Sequence, residues 1–333
     1  MRTPFIVAEM SANHLTNLDR ALEIVARAAD AGADAIKVQA WHPSRMVIDT
    51  DATISGGPWD GRNLLELYRE CWLPLGWIQI IFEKAAQCGI VGFASVFDQL
   101  ALRELEDCNC PIYKIASCEI VDLPLIEAVV KTGKPIMIST GMATESEIQA
   151  ATEAAITVDG RDLTLLKCTS AYPTPLEECN LRTIPAMRKH FGLHIGLSDH
   201  TLGTTAAVVA TALGATVIEK HLTLKRTDGG PDAGFSSEPD EFAHMVKGCR
   251  AAAEALGGIH YGPTTKELPT LALRRSLHYS RNLLAGWSLN EGDVVSARPA
   301  AGLLPSKLAA VTGRTLKDNV TAGQPVTWED FNA

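Results

Sequence analysis

No run of apolar residues in this 333-residue chain approaches the roughly 20 that span a bilayer, and the opening MRTPFIVAEM lacks the basic, apolar and cleavage-site segments of a secretory signal. A cytoplasmic location is the expectation. There is no basic tract with interleaved aromatics, and the net charge of -9 argues against a nucleic-acid surface. An anionic ligand must then be held locally, by a few placed cations inside an acidic protein. The eight cysteines, at 71, 88, 108, 110, 118, 168, 179 and 249, show no spacing of a disulfide framework or a zinc site, so reduced and mostly buried thiols are expected. No low-complexity segment occurs, and no repeat beyond a βα period.

What is present is apolar residue, 46% of the chain, enough for one large domain and a small one. Short β-rich runs alternate with longer amphipathic stretches up to about residue 256, the pattern of βα units around a parallel sheet. Eight strands are predicted, at Phe5 to Glu9, Ala35 to Gln39, Val91 to Ser95, Ile112 to Ala116, Pro135 to Ser139, Leu163 to Lys167, Leu193 to Leu197 and Thr216 to Lys220. Helices are expected between them, among others at Leu18 to Ala31, Gln99 to Asp107, Leu123 to Thr132, Glu145 to Ile156, Thr204 to Leu213 and Pro239 to Leu256. Eight such units make the fold class α/β, a closed (β/α)8 or TIM barrel. The segment Ala40 to Leu75, with Gly56, Gly57, Pro58, Trp59 and Tyr68, is too long for an ordinary βα loop and reads as a lid or as an insertion packed on the barrel. The expected organisation is a barrel over 1–258, a linker over 259–272 and a compact β-rich module of about 60 residues over 273–333.

In such a barrel the chemistry sits at the C-terminal strand ends. That rule selects Glu9, Lys37, Gln39, Ser95, Lys114, Ser117, Ser139, Lys167, Ser170, Tyr172, Ser198, Asp199, His200, Glu219 and His221, a set too polar for a closed apolar core. His200 follows strand 7 and His221 follows strand 8, so neighbouring strands bring imidazoles to one rim, with Asp199 and Glu219 beside them. The pattern points to a divalent metal in an open site; Mn²⁺ is the first choice, with Mg²⁺ or Co²⁺ also fitting. Lys37, Lys114 and Lys167 end alternate strands and could converge on a phosphate and a carboxylate, with Ser117, Ser139 and Ser170 donating nearby. Spacing alone leaves open that each lysine pairs with a neighbouring carboxylate, or that one forms a Schiff base.

At these residues the chain resembles the sialic acid synthase family over nearly its whole length. The resemblance rests on FIVAEMSANH (5–14), AGADAIKVQ (31–39), YKIAS (113–117), STGMAT (139–144), LLKCTSAYPTP (165–175), GLSDHT (196–201) and VIEKHLTL (217–224). RRSL and SARPAAGL are similar to the small antifreeze-like (SAF) domain of that family. GGPWDGRNLLELY (56–68), EMSANH and TDGGPDAGFSSEP (227–239) resemble its pseudaminic branch. The resemblance implies a metal on His200 and His221, and phosphoenolpyruvate among Lys37, Lys114, Ser117, Ser139 and Lys167. It implies an acylated amino sugar near Glu9, Gln39, Tyr172, Asp199 and Glu219, and a homodimer in which Arg298 reaches the partner subunit's barrel. The sequence departs from the neuraminic pattern at Ser170, where that branch carries Asn, and at Arg298–Gly302, which reads Arg-Pro-Ala-Ala-Gly where that branch has Arg-Pro-Gly-x-Gly. The alternatives are a legionaminic or N-acetylneuraminic acid synthase and, from a different class, a non-catalytic sugar-binding protein.

Overall fold

The structure, a computed structural model, describes residues 3–156 and 162–332; residues 1 and 333, where the expected domains open and close, lie outside these. The chain divides into two compact units, residues 1–257 and 258–333.

In the first unit β1 (Phe5–Glu9), β2 (Ala35–Ala40), β3 (Val91–Val96), β4 (Tyr113–Ile115), β5 (Ile136–Ser139), β6 (Leu163–Cys168), β7 (His194–Asp199) and β8 (Val217–His221) form a closed parallel barrel in sequence order. Consecutive residues such as Ile6, Val7 and Ala8 are fully buried, because a barrel wrapped in helices hides both faces of every strand. The barrel closes through a register running from Phe5 opposite Val217 to Glu9 opposite His221, which sets those last two residues side by side.

Helix starts are fixed by side-chain caps. Asn17 accepts from the Arg20 amide before Leu18–Asp30, and Asp98 accepts from the amides of Leu100 and Ala101 before Gln99–Asp107. Helices also form at Leu64–Cys71, Ile78–Gln87 and Thr183–Phe191. The first of these lies inside the long segment after β2 and is capped by Asn63, whose side chain accepts from the Glu66 amide. No helix among the described residues is long and apolar enough to cross a membrane.

The second unit has its own core of Leu277, Tyr279, Leu283, Leu289, Val294, Val311, Leu316, Val320, Val326 and Phe331. Its regular sheet is the antiparallel pair β9 (Ser276–Tyr279) and β10 (Val294–Ala297), extended by isolated bridges such as Leu283 to Val320 and Leu316 to Phe331.

Candidate active site

Side chains alternate across a strand, so the last residues of each strand divide between the barrel interior and the outer face. On β8, Glu219 and His221 point inward and line a cavity of about 380 Å³, whereas Lys220 between them faces out. On β7 the same rule sends Ser198 inward and Asp199 outward, where Asp199 and Lys220 are partners in register and meet at 2.8 Å. Glu9, Lys37, Gln39, Lys114, Ser117, Ser139, Ser170, Tyr172 and His200 complete the set of expected site residues that line the cavity.

Three expected residues of the first unit stand elsewhere. Asp199 is spent on Lys220 and on the amide of Thr201, 2.9 Å away. Lys167 alternates with Cys168, which lines the cavity, and Lys167 Nζ instead donates to Thr169 Oγ1 at 2.5 Å. Ser95 does not line the cavity but accepts from Lys37 Nζ at 2.9 Å, so it positions that ammonium. Arg298 belongs to the second unit, exposed in the loop after β10.

The floor of the cavity is one ammonium shared by two carboxylates. Lys37 Nζ lies 2.6 Å from Glu9 Oε2 and 3.5 Å from Glu219 Oε1, and the second Glu9 oxygen accepts from the Ser11 amide at 3.1 Å, whereas Glu219 Oε2 is buried without a hydrogen bond. Burial pushes the Glu9 carboxyl up to about 7, with Lys37 pulling it back. Burial acts on Glu219 too, but Lys37 and Lys114 hold it below the usual carboxylate range. The pair is thereby split into one group that can exchange a proton near neutrality and one that stays anionic. Lys114 donates to Ser139 Oγ at 2.6 Å and to the Ile115 carbonyl at 2.9 Å, and burial lowers it to about 8. Gly141 borders this floor: a Cβ there would stand 2.2 Å from Ser170 Oγ and 2.7 Å from Ser117 Oγ, so only glycine lets both hydroxyls stay.

The imidazoles of His200 and His221 have ring centroids 5.4 Å apart. His200 Nδ1 lies 2.9 Å from the Thr169 carbonyl, which can only accept, so Nδ1 carries the hydrogen and Nε2 keeps the lone pair. Burial keeps His221 well below its ordinary pKa, hence neutral, and its Nδ1 is buried with no partner. Two nitrogen lone pairs and a fixed second-nitrogen contact fit a divalent ion held by imidazoles. No cluster of three or more carboxylate, thiol or imidazole side chains able to hold a metal occurs among the described residues, so such a site would be completed by water and substrate. Cys168, against the effect of burial, leaves the His200 pKa raised, so a proton and a metal would compete for that ring.

Residues not anticipated also line the cavity: Ser11, Glu119, Asp232, Phe235 and Cys168. Ser11 Oγ donates to Asp232 Oδ2 at 2.6 Å, which joins the loop after β1 to the loop after β8. Glu119 is raised by burial to about 7, and its Oε2 is buried without a partner. Cys168 ends β6 and Ser11 lies just beyond the end of β1, so both were within reach of the strand-end rule, whereas Glu119, Asp232 and Phe235 stand further out in the loops. The long segment after β2 walls the cavity through Trp41, Ile54, Trp59, Leu64, Leu67 and Tyr68.

A closed parallel barrel whose C-terminal mouth gathers lysines, carboxylates and an imidazole pair defines a (β/α)8 enzyme. The model of the NeuB family matches residues 24–261, and that of the SAF domain matches residues 274–332. The chain is 39% identical to a pseudaminic acid synthase of Helicobacter pylori over 99% of its own length and 98% of the relative's. It is 33% identical to an N,N'-diacetyllegionaminic acid synthase of Legionella pneumophila, with 99% and 95% of the two chains covered. A crystal structure of an N-acetylneuraminic acid synthetase from Leptospira borgpetersenii, in complex with citrate, superposes with a TM-score of 0.73 at 31% identity, covering 81% of this chain and 90% of that one. The chain belongs to the NeuB family, and its reaction is a condensation of the sialic acid synthase type.

Proposed function

We propose that this enzyme joins phosphoenolpyruvate to a 2,4-diacetamido-2,4,6-trideoxy hexose of the altrose type, giving pseudaminic acid and phosphate. The observation that carries the reading is one cavity holding two lysines, Lys37 and Lys114, the hydroxyls of Ser117, Ser139 and Ser170, and the two imidazoles. Phosphate and carboxylate of the enol phosphate suit the lysines and hydroxyls. The sugar suits the wider mouth, where Gln39, Tyr172 and Asp232 offer polar groups. The pseudaminic choice is supported by the 39% identity to the Helicobacter pylori synthase against 33% to the legionaminic one.

His200 and His221 would hold the divalent ion, Mn²⁺ in this reading, whose chemistry is Lewis-acid polarisation of a carbonyl oxygen. The protein's own residues orient the reactants and neutralise charge. C3 of the enol phosphate attacks the open-chain aldehyde carbon, water adds at C2, and phosphate leaves by C–O cleavage, so one water balances the reaction. Glu219, held anionic beside Lys37, stabilises the positive charge that develops at C2. Glu9 accepts the water proton. Arg298 reaches a partner subunit's barrel in a domain-swapped homodimer, and the setting is the cytoplasm.

The test is a phosphate-release assay with the altrose-type, legionaminic-type and neuraminic-type sugars, with and without Mn²⁺. The expected result is release with the altrose-type sugar, abolished by chelation and by His221→Ala with the fold retained. Release without metal, unaffected by that substitution, would refute the metal role; preference for another sugar would reassign the branch.

A further inference from the structure

The strap after β2 and the loop after β8 meet at one residue. Trp59 Nε1 donates to the Pro231 carbonyl at 2.9 Å, and its ring packs on Phe235, with centroids 5.9 Å apart, and on Tyr172, at 5.3 Å. Tyr172 in turn lies 4.3 Å from the His200 ring, and Phe235 lies 5.1 Å from that of His221. Trp59 is thus one ring away from the imidazole pair, and it lines the same cavity. An indole has a single polar atom, and here that atom is committed to Pro231. The surface that Trp59 turns to the cavity is therefore wholly apolar, and Ile54, Leu64 and Leu67 of the same strap add to that apolar wall in a cavity that also holds the lysines and serines. A sugar hydroxyl placed against it would lose water without gaining a partner. A methyl group would bury apolar area there instead.

We propose that Trp59 is a specificity-determining residue whose latched indole receives a methyl group of the acylated sugar, either the C6 methyl of the deoxy sugar or the methyl of an acetamido group. This rests on the function proposed above. Gly56 and Gly57, at φ +80° and +72°, give the strap the left-handed turn that delivers the indole. A methyl in an apolar pocket is worth roughly 10–200-fold in kcat/KM, and an apolar pocket rejects an added hydroxyl by about 10².

The experiment measures phosphate release by the wild type, Trp59→Phe and Trp59→Ala with three sugars: the 2,4-diacetamido-6-deoxy sugar, its 6-hydroxy counterpart and a counterpart with one acetyl replaced by formyl. The wild type should prefer the first sugar over one of the other two by roughly 10–200-fold, and which counterpart suffers identifies the methyl. Trp59→Ala should bring that ratio within about threefold of unity with KM for phosphoenolpyruvate unchanged, while Trp59→Phe, apolar but unlatched, should keep most of it. A ratio unchanged in Trp59→Ala overturns this inference alone. Absence of release from every sugar by the wild type overturns the parent reading and this one with it. Should Trp59→Ala fail to fold, Trp59→Gln decides, because it keeps bulk and adds a polar end. It should raise kcat/KM for the 6-hydroxy or formyl sugar relative to the parent, and an unmoved ratio counts against the proposal.

Discussion

Two buried lysine–carboxylate groups stand on opposite faces of neighbouring strand ends, and they are built differently. On the outer face Lys220 is held by Asp199 and by the Thr201 carbonyl, and Asp199 also accepts from the Thr201 amide. On the inner face Lys37 serves Glu9, Glu219 and the Ser95 hydroxyl, and Glu219 is still left with a buried oxygen, Oε2, without a hydrogen bond. Burial is the same; satisfaction is not. A fully partnered pair holds elements together, whereas an unsatisfied group facing a cavity is paid for by what binds there. The difference separates the scaffold from the site more sharply than residue type does.

That contrast can be broken from either side. Lys220→Met leaves Asp199 buried and unpaired, and should cost about 3–5 kcal/mol of unfolding free energy, read as a lowered urea midpoint with turnover per folded molecule little changed. Lys37→Met should do the reverse. Glu9 already sits near 7 and can neutralise, so the stability loss should be smaller than that of Lys220→Met. Turnover should fall by about 10²–10³, the usual consequence of losing one preorganised charge partner, measured by phosphate release.

Smaller changes sharpen the same comparison. Gly141→Ala puts a methyl into the space of Ser117 and Ser170, and its overpacking cost of about 1–3 kcal/mol should appear as a raised KM for the enol phosphate, roughly tenfold or more at about 1.4 kcal/mol. The smallest effect is in pH. Lys114, lowered by burial to about 8, is charged below that value and neutral above it. Hence kcat/KM for the anionic substrate should decline as pH rises through about 8. In Lys114→Arg the decline should move beyond the accessible range, since guanidinium keeps its proton.

The inner and outer faces also mark where the sequence could be read and where it could not. The eight strands of the barrel and the Glu145–Ile156 and Pro239–Leu256 helices follow from hydrophobic runs and punctuation. Strand ends give the height of a residue in the barrel but not its face. In a parallel barrel both faces are apolar, so no polar alternation tells Lys37 from Lys167, or Glu219 from Asp199. Strand ends alone therefore nominated Asp199 and Lys167, which face outward, alongside Glu219 and Lys37, which face in. Glu119, Asp232 and Phe235 depend on where loops fold back, which no local pattern encodes. Helix Leu64–Cys71 was within reach, because Asn63 followed by Glu66 is a start signal.

The most direct measurement is anomalous diffraction at the manganese edge from crystals grown with Mn²⁺ and phosphoenolpyruvate. The account predicts one strong peak bound by ring nitrogens of His200 and His221, with the enol phosphate on Lys37 and Lys114 in the same cavity. A cation bound away from those rings, or an enol phosphate seated elsewhere while the cavity stays free of it, would contradict it.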